Sequence, residues 1–415
     1  MDVHYIVDRL PRWERGISRL LMDDREAELR QSIVWYEELA AFAKDPGLEL
    51  QLAILEGEAG RRERLREKLD AWDVRMDPFP AMATLIAAAY LNGDELPDDD
   101  ALRLLPGEGH PWFGEQLVQR LALRRNDATQ LAEVAAARAE RTTPLRRRVR
   151  ALVALDLVLI AAALAGVIVL VKRRDGPHLA SASLPPAWSG SLGAAVILRG
   201  AALQVLLLGA LYVVSHVVDS AVLNALTWPW SNVLFVPMLL LARRDLMRPS
   251  ALRFRDALGL SLDAGKRGRL FAMLAVLIGL GLLGDWVAAS VAGRFGLVSH
   301  WTEWFDEDLV WGAGGDAAIA ILSACVTAPF FEEIVFRGLL FATFRRRFGF
   351  LASAVLSALI FAVAHGYGWV GLTSVLWSGV LWCWSYERTR SLVPGMLAHA
   401  VVNLLATLSV LMLLR

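Results

Sequence analysis

The chain has 415 residues, 43 basic and 43 acidic side chains, 56% hydrophobic residues and a mean hydropathy of +0.43. That is too apolar for an ordinary water-soluble globule, where apolar residues including Gly make up roughly 45–50%. A neutral balance gives no basic face, so a nucleic-acid partner is not expected. The charge is uneven: residues 1–150 are dense in Arg, Glu and Asp, and long stretches beyond carry almost none.

The N-terminal stretch MDVHYIVDRLPRWERG mixes acidic and basic residues and has no apolar core of signal-peptide length, so it reads as no cleavable signal. Residues 1–147 read as a soluble helical domain of five or six short helices. RWERGISRLLMDDREAELRQSIVWYEELAAFA and LELQLAILEGEAGRRERLREKLDAW have helical apolar spacing and strong helix formers. Breaks are expected at Asp45-Pro46-Gly47, Asp77-Pro78, Asn92-Gly93-Asp94 and Leu105-Pro106-Gly107. No catalytic constellation appears there. A regulatory or partner-binding module, with a protein partner of its own, is the expectation.

Beyond residue 147 the pattern changes to long apolar runs. ALVALDLVLIAAALAGVIVLV, residues 151–171, is the first. About 20 helical residues cross a hydrocarbon core of ~30 Å. Further segments are expected at 192–214, 221–241, 270–292, 316–344, 350–366, 369–386 and 392–414, about eight in all. Backbone polar groups in lipid must be satisfied internally, so these should be helices. Trp188, Trp228, Trp230, Trp301, Trp304, Trp311 and Trp369 lie near the proposed span ends, as an interfacial aromatic belt would place them. The fold class is therefore all-α: a multi-pass transmembrane helical bundle, residues 148–415, behind an N-terminal soluble helical domain.

Orientation signals conflict. The basic loops at 243–269, Arg345-Arg346-Arg347 and Arg388/Arg390 belong in the cytoplasm by the positive-inside rule. Eight full spans would then put residues 1–147 outside. Arg146, Arg147, Arg148 and Arg150 beside the first span argue for a cytoplasmic N-terminal domain. The reading adopted is cytoplasmic, with 192–214 or 221–241 not fully crossing. The two cysteines, Cys325 and Cys383, sit in apolar segments and form no CxxC, so neither a disulfide framework nor a thiolate metal site is expected.

The residues able to do chemistry lie within 327–403. An ionisable side chain in an apolar span is costly and is by default a functional hypothesis. TAPFFEEIVFRGLL carries Glu332, Glu333 and Arg337. Glu333 and Arg337 are an i, i+4 pair in the favourable order. Adjacent helical side chains point about 100° apart, so Glu332 is expected to face elsewhere and stay free for chemistry. In IFAVAHGYG, Phe361 and His365 are i, i+4. In MLAHAVVNLL, His399 and Asn403 repeat that spacing inside the last apolar segment. Polar side chains on one face of a membrane helix should point into the bundle. A structural charge cluster or an interhelical hydrogen bond would account for each element alone. Together they supply a base for water, a proton donor and an oxyanion donor, which is what amide hydrolysis needs. No GxSxG or HExxH occurs, so a serine elbow or a zincin lacks support.

At this point the sequence resembles a known family. EEIVFR fits EExxxR, FAVAH fits FxxxH and HAVVN fits HxxxN of the CAAX protease and bacteriocin-processing family, which includes the Ras-converting CAAX endopeptidases. The resemblance covers about 300–415. It implies an intramembrane endopeptidase of glutamic type, formerly classed as metallo. Glu332 and His365 would activate water, His399 and Asn403 would stabilise the oxyanion, and Glu333, Arg337 and Phe361 would support them. No cofactor is implied by the metal-free mechanism; if a metal is used, Glu332, His365 and His399 would hold zinc. The expected partners are membrane lipid and a peptide or membrane-protein substrate. The Ala-, Leu- and Arg-rich composition fits a bacterial plasma membrane. The competing classes are a non-proteolytic scaffold, bacteriocin-immunity protein or sensor of the same fold, and a transporter with a Glu/His proton relay.

Overall fold

The structure is a computed structural model, and it describes residues 25–91, 111–172, 178–217, 231–262, 264–300, 303 and 306–414. Every regular element among them is helical. The expected breaks at Asn92-Gly93-Asp94 and Leu105-Pro106-Gly107, and Trp228, Trp230, Trp301 and Trp304, lie outside the described residues. The chain divides into two compact units. One is Met1–Val153 with Ser290–Trp301; the other is Ala154–Ala289 with Thr302–Arg415.

The first unit contains α1 (Arg25–Ala43), α2 (Pro46–Glu58), α3 (Arg62–Trp72), α4 (Phe79–Ile86) and α5 (Pro111–Arg125). Sequence punctuation sets their ends. Asp45 caps α2 by accepting from the Gly47 and Leu48 amides, and Pro46 occupies the first turn, where its missing N–H costs nothing. Asp77-Pro78 immediately precedes α4. Ile33, Leu65, Trp72, Leu85, Ile86, Leu117 and Leu121 make the core. Its polar ties are carboxylates on α2. Glu49 accepts from the Trp72 indole at 3.1 Å and from Arg75 at 2.7 Å. Glu58 takes a two-pronged bond from Arg120 at 2.8 and 2.9 Å, and the Tyr90 hydroxyl at 3.1 Å. Burial, and then the Glu58 charge, push the Tyr90 phenol upward. Gly57 lies against the Tyr90 ring, where a Cβ would stand 2.6 Å from Cγ. In the same unit the Trp35 indole donates to the Ser299 carbonyl at 2.7 Å, and His300 lies 2.9 Å from Glu38.

Five helices among the described residues are long and apolar enough to cross a membrane. They are α6 (Ala128–Lys172), α7 (Gly190–Val217), α9 (Arg267–Phe295), α10 (Gly314–Phe344) and α13 (Val393–Leu414), with the short α8 (Val236–Ala242) between α7 and α9. With the bundle they form, the chain is a multi-pass membrane protein. Two more of the about eight expected apolar segments are helices outside these five. The helix expected at 350–366 is α11 (Phe350–Val363), whose 14 residues at ~1.5 Å each reach only about 21 Å. The helix expected at 369–386 is α12 (Trp369–Thr389), long enough at 21 residues but diluted by Ser, Thr, Glu and Arg. Of the segment at 221–241, residues 221–230 lie outside the described residues, and the rest is a 3-10 turn, Ser231–Phe235, running into α8. The charge density changes near 147, yet α6 runs unbroken from Ala128 to Lys172, through Pro144.

Small residues bring the membrane helices together. A Cβ on Gly166 would meet the Ala272 carbonyl at 2.6 Å, and one on Gly279 would meet Ala163 at 2.3 Å, so α6 and α9 approach backbone to backbone. Gly284 makes room for Trp377, whose indole donates to the Leu280 carbonyl at 2.8 Å. Beside them Ser374 hydrogen-bonds Asp285, an intramembrane carboxylate that the sequence reading did not single out. The most buried spans are α9 and α10, each 39% over its apolar window, against 6% for α6 and 11% for α7. The chemistry-bearing residues start on α10, and α6 and α7 present most of their surface outward, as lipid-facing helices do.

Leu65 is fully buried at the centre of the first unit. Leu65→Ala is expected to cost about 2–5 kcal/mol. Faster amide hydrogen exchange in α3 and α4 of the full chain, with α10–α13 unchanged, checks it.

Candidate active site

α10 is not a regular helix. It runs as α-helix over Gly314–Leu322, as π-helix over Ser323–Thr327, as α-helix over Ala328–Glu332 and again as π-helix over Glu333–Phe341. The first widening has a legible cause. The Ala328 amide bonds to the Ser323 carbonyl, five residues back. The same step from Ala324 reaches Pro329, which has no N–H to give. The Ala324 carbonyl would stay unpaired in an apolar bundle, a cost of about 1–3 kcal/mol. Asn403 supplies the missing donor: its Nδ2 donates to the Ala324 oxygen at 2.7 Å. One amide hydrogen of Asn403 is thus committed to α10, which fixes its orientation and leaves its second N–H for other work.

The second widening carries Glu333 and Arg337, both buried. They form the expected i, i+4 ion pair, 3.1 Å from Nη1 to Oε1. The guanidinium lies over two ring faces, 4.2 Å from the centroid of Phe361 and 4.8 Å from that of Trp382. These cation–π contacts replace part of the hydration that burial removes. Space comes from glycine: a Cβ on Gly379 would stand 3.0 Å from Arg337 Nη2, and one on Gly395 would stand 3.1 Å from Glu333 Oε2. The Ser357 hydroxyl donates to the Phe336 carbonyl at 2.7 Å, which ties the widened turn to α11.

His399, 4% exposed, sits against both glutamates. Its Nδ1–H donates to Glu333 Oε1 at 3.2 Å, and its Nε2 lies 3.7 Å from Glu332 Oε2. Trp382 stacks on the imidazole, with centroids 4.1 Å apart and planes 18° apart. The expectation that Glu332 turns away from Glu333 is therefore corrected: both face His399. A π-turn holds more residues than an α-turn, so neighbouring side chains diverge by less than 100°. Glu332 still differs from Glu333, because its side chain remains 16% exposed against 1% and it has no guanidinium at ion-pair distance among the described contacts.

His365 lies two residues past the end of α11. Its Nδ1–H donates to the Phe361 carbonyl at 2.8 Å, so a neutral ring presents the Nε2 lone pair. Phe361 is the hub between the histidines: its ring meets His365 edge-on at 4.6 Å and His399 at 6.1 Å. Glu332, Glu333, Arg337, Phe361, His365 and His399 thus form one neighbourhood. Asn403 stands one turn beyond His399 on α13. Sequence reasoning missed Trp382, Gly379 and Gly395. A tryptophan or glycine in an apolar helix carries no signal of its own, and only the positions of their neighbours give them meaning. Among the described residues, no group of three or more His, Cys, Asp or Glu side chains is placed to hold a metal ion.

Removing one member of a buried ion pair strands the other. Arg337→Met is expected to cost about 3–5 kcal/mol, while replacing Glu333 and Arg337 together by apolar residues of similar volume costs less. Denaturation of the single and double variants in detergent measures the difference. Asn403→Leu should lose about 1–3 kcal/mol through the Ala324 carbonyl alone. Solvent exchange at the α10 amides around 328 reads that loss separately from activity.

No curated protein and no solved structure matches the chain. A family model does: residues 314–405 match the type II CAAX prenyl endopeptidase Rce1-like model. The match is under a quarter of the chain, but it runs from the start of α10 to two residues past Asn403 and contains EEIVFR, FAVAH and HAVVN in order. It leaves out the whole first unit. Over this segment the chain is similar to the type II CAAX prenyl endopeptidases of the CAAX protease and bacteriocin-processing family.

Proposed function

We propose that the chain is an intramembrane endopeptidase of glutamic type, with Glu332 as the base. The observation that carries the reading is the unequal treatment of two adjacent glutamates. Glu333 is neutralised by Arg337 and tied to His399, while Glu332 is left with an accessible oxygen beside the same imidazole. A base must reach a water that also contacts the substrate carbonyl, and a carboxylate held by a guanidinium is a poor proton acceptor.

The reaction then follows from the donors and acceptors present. Glu332 and the Nε2 of His365 orient a water. Glu332 takes one of its protons as the oxygen adds to the scissile carbonyl carbon. The charge moves to the carbonyl oxygen, where the second N–H of Asn403 and the imidazole of His399 meet it. With its Nδ1–H on Glu333, His399 donates to an oxyanion only when Nε2 also carries a proton. Glu332, at 3.7 Å, is the group placed to deliver it. When the C–N bond breaks, the amine leaves with a proton returned from this pair, and both product termini depart. The substrate is a peptide or membrane protein presented within the bilayer. The setting we favour is a bacterial plasma membrane, with residues 1–147 as a cytoplasmic regulatory or partner-binding module.

Cleavage of candidate membrane peptides by the purified full chain tests the proposal. Glu332→Gln keeps size and removes the base, so turnover should fall by about 100- to 10,000-fold with the melting transition unchanged. Full activity in Glu332→Gln, with Glu333→Gln inactive but folded, would reverse the two roles. No cleavage by the wild type under any condition would favour a scaffold or sensor.

A further inference from the structure

One carboxylate outside the three motifs is built into the turn that carries His365. Glu303 Oε1 accepts the Gly368 amide at 2.9 Å, a contact spanning 65 residues of sequence. Gly368 precedes α12, and its N–H is among those that an isolated helix leaves unpaired at its start. A carboxylate there also meets the positive end of the helix dipole. The seat is shaped for it: a Cβ on Gly368 would stand 3.0 Å from Oε1, and one on Gly371 would stand 2.4 Å from Oε2. A Cβ at Gly371 cannot be placed unless the Glu303 carboxylate moves, and one at Gly368 would crowd it.

The capped segment is short and begins at the site. His365 is followed by Gly366, whose φ of +68° makes the turn, then Tyr367 and Gly368. The Tyr367 ring lies 5.3 Å from the His365 ring. Burial, and then the charges of Glu303 and Glu332, push the Tyr367 phenol upward, so this side chain senses both carboxylates. His365 is held on one side by the Phe361 carbonyl. On the other side the chain is free to swing about Gly366 unless Gly368 is fixed.

We propose that Glu303 is a positioning residue for the hydrolysis: by capping α12 at Gly368 it fixes the Gly366–Gly368 turn that presents His365 to the water beside Glu332. The inference rests on the proposed role of His365. It adds to that role a residue from the acidic stretch before α10.

The test uses the full chain in detergent and a peptide that the wild type cleaves. Glu303→Ala should lower kcat by about 10- to 100-fold, as a small misplacement of a catalytic group does, with KM changed little. Glu303→Gln keeps an oxygen for the Gly368 amide and should recover most of the rate. Gly371→Ala, whose Cβ would stand 2.4 Å from Oε2, forces the carboxylate to move and should reproduce the Glu303→Ala defect, so it decides the matter if Glu303→Ala does not fold. Hydrogen exchange should quicken at the first amides of α12 in Glu303→Ala and Gly371→Ala, with α13 unchanged. Wild-type kcat in either variant, beside an inactive Glu332→Gln, overturns the positioning role alone. Wild-type cleavage by Glu332→Gln overturns the proposed function and this inference with it.

Discussion

Two opposite charges fully removed from water have to satisfy each other, and the core of the membrane unit is organised around that requirement. Arg337 and Glu333 share one turn of α10. Each needs a side chain or an empty space from another helix: Phe361 from α11, Trp382 and Gly379 from α12, His399 and Gly395 from α13. Four helices are thereby brought into register by one ion pair. Apolar side chains of similar volume could fill the same space at little or no loss of stability. Stability alone therefore does not explain charges here, whereas a fixed imidazole next to an accessible carboxylate does.

The aromatic rings do a second job. Phe361 and Trp382 offer their faces to the guanidinium and also contact the histidines. Their quadrupoles are favourable to a cation and their planes restrict imidazole rotation. His399 is held by a stack, a Glu333 acceptor and the neighbouring Glu332, so its two ring nitrogens have assigned neighbours before any substrate arrives. Preorganisation of this kind is what makes donors effective at a developing oxyanion.

Much of this could be read from the sequence, and for a physical reason. Glu332, Glu333, Arg337, His399 and Asn403 stand out because ionisable and amide side chains are expensive in an apolar helix. The breaks at Asp45-Pro46 and Asp77-Pro78 were visible because cap and proline chemistry is local. The 100° rule misplaced Glu332 because it assumes an ideal helix, and Pro329 was the warning that α10 is not one. Hydropathy marks α11 as apolar but not as short, because it does not reveal where a helix stops. Trp382, Gly379 and Gly395 were invisible because their roles exist only across helices. Glu303 does not stand out in the sequence, because its partner Gly368 is 65 residues away.

Pro329 has a mechanical consequence. A helix that lacks one internal bond is stiff only while something else fills the gap, and in α10 the filler is the side chain of Asn403. An amide from α13 thus closes the one gap that Pro329 leaves in the bonding of α10. In the proposed mechanism the same amide also meets the oxyanion, so a substrate that drew on Asn403 would load the bond that closes the gap in the helix bearing Glu332.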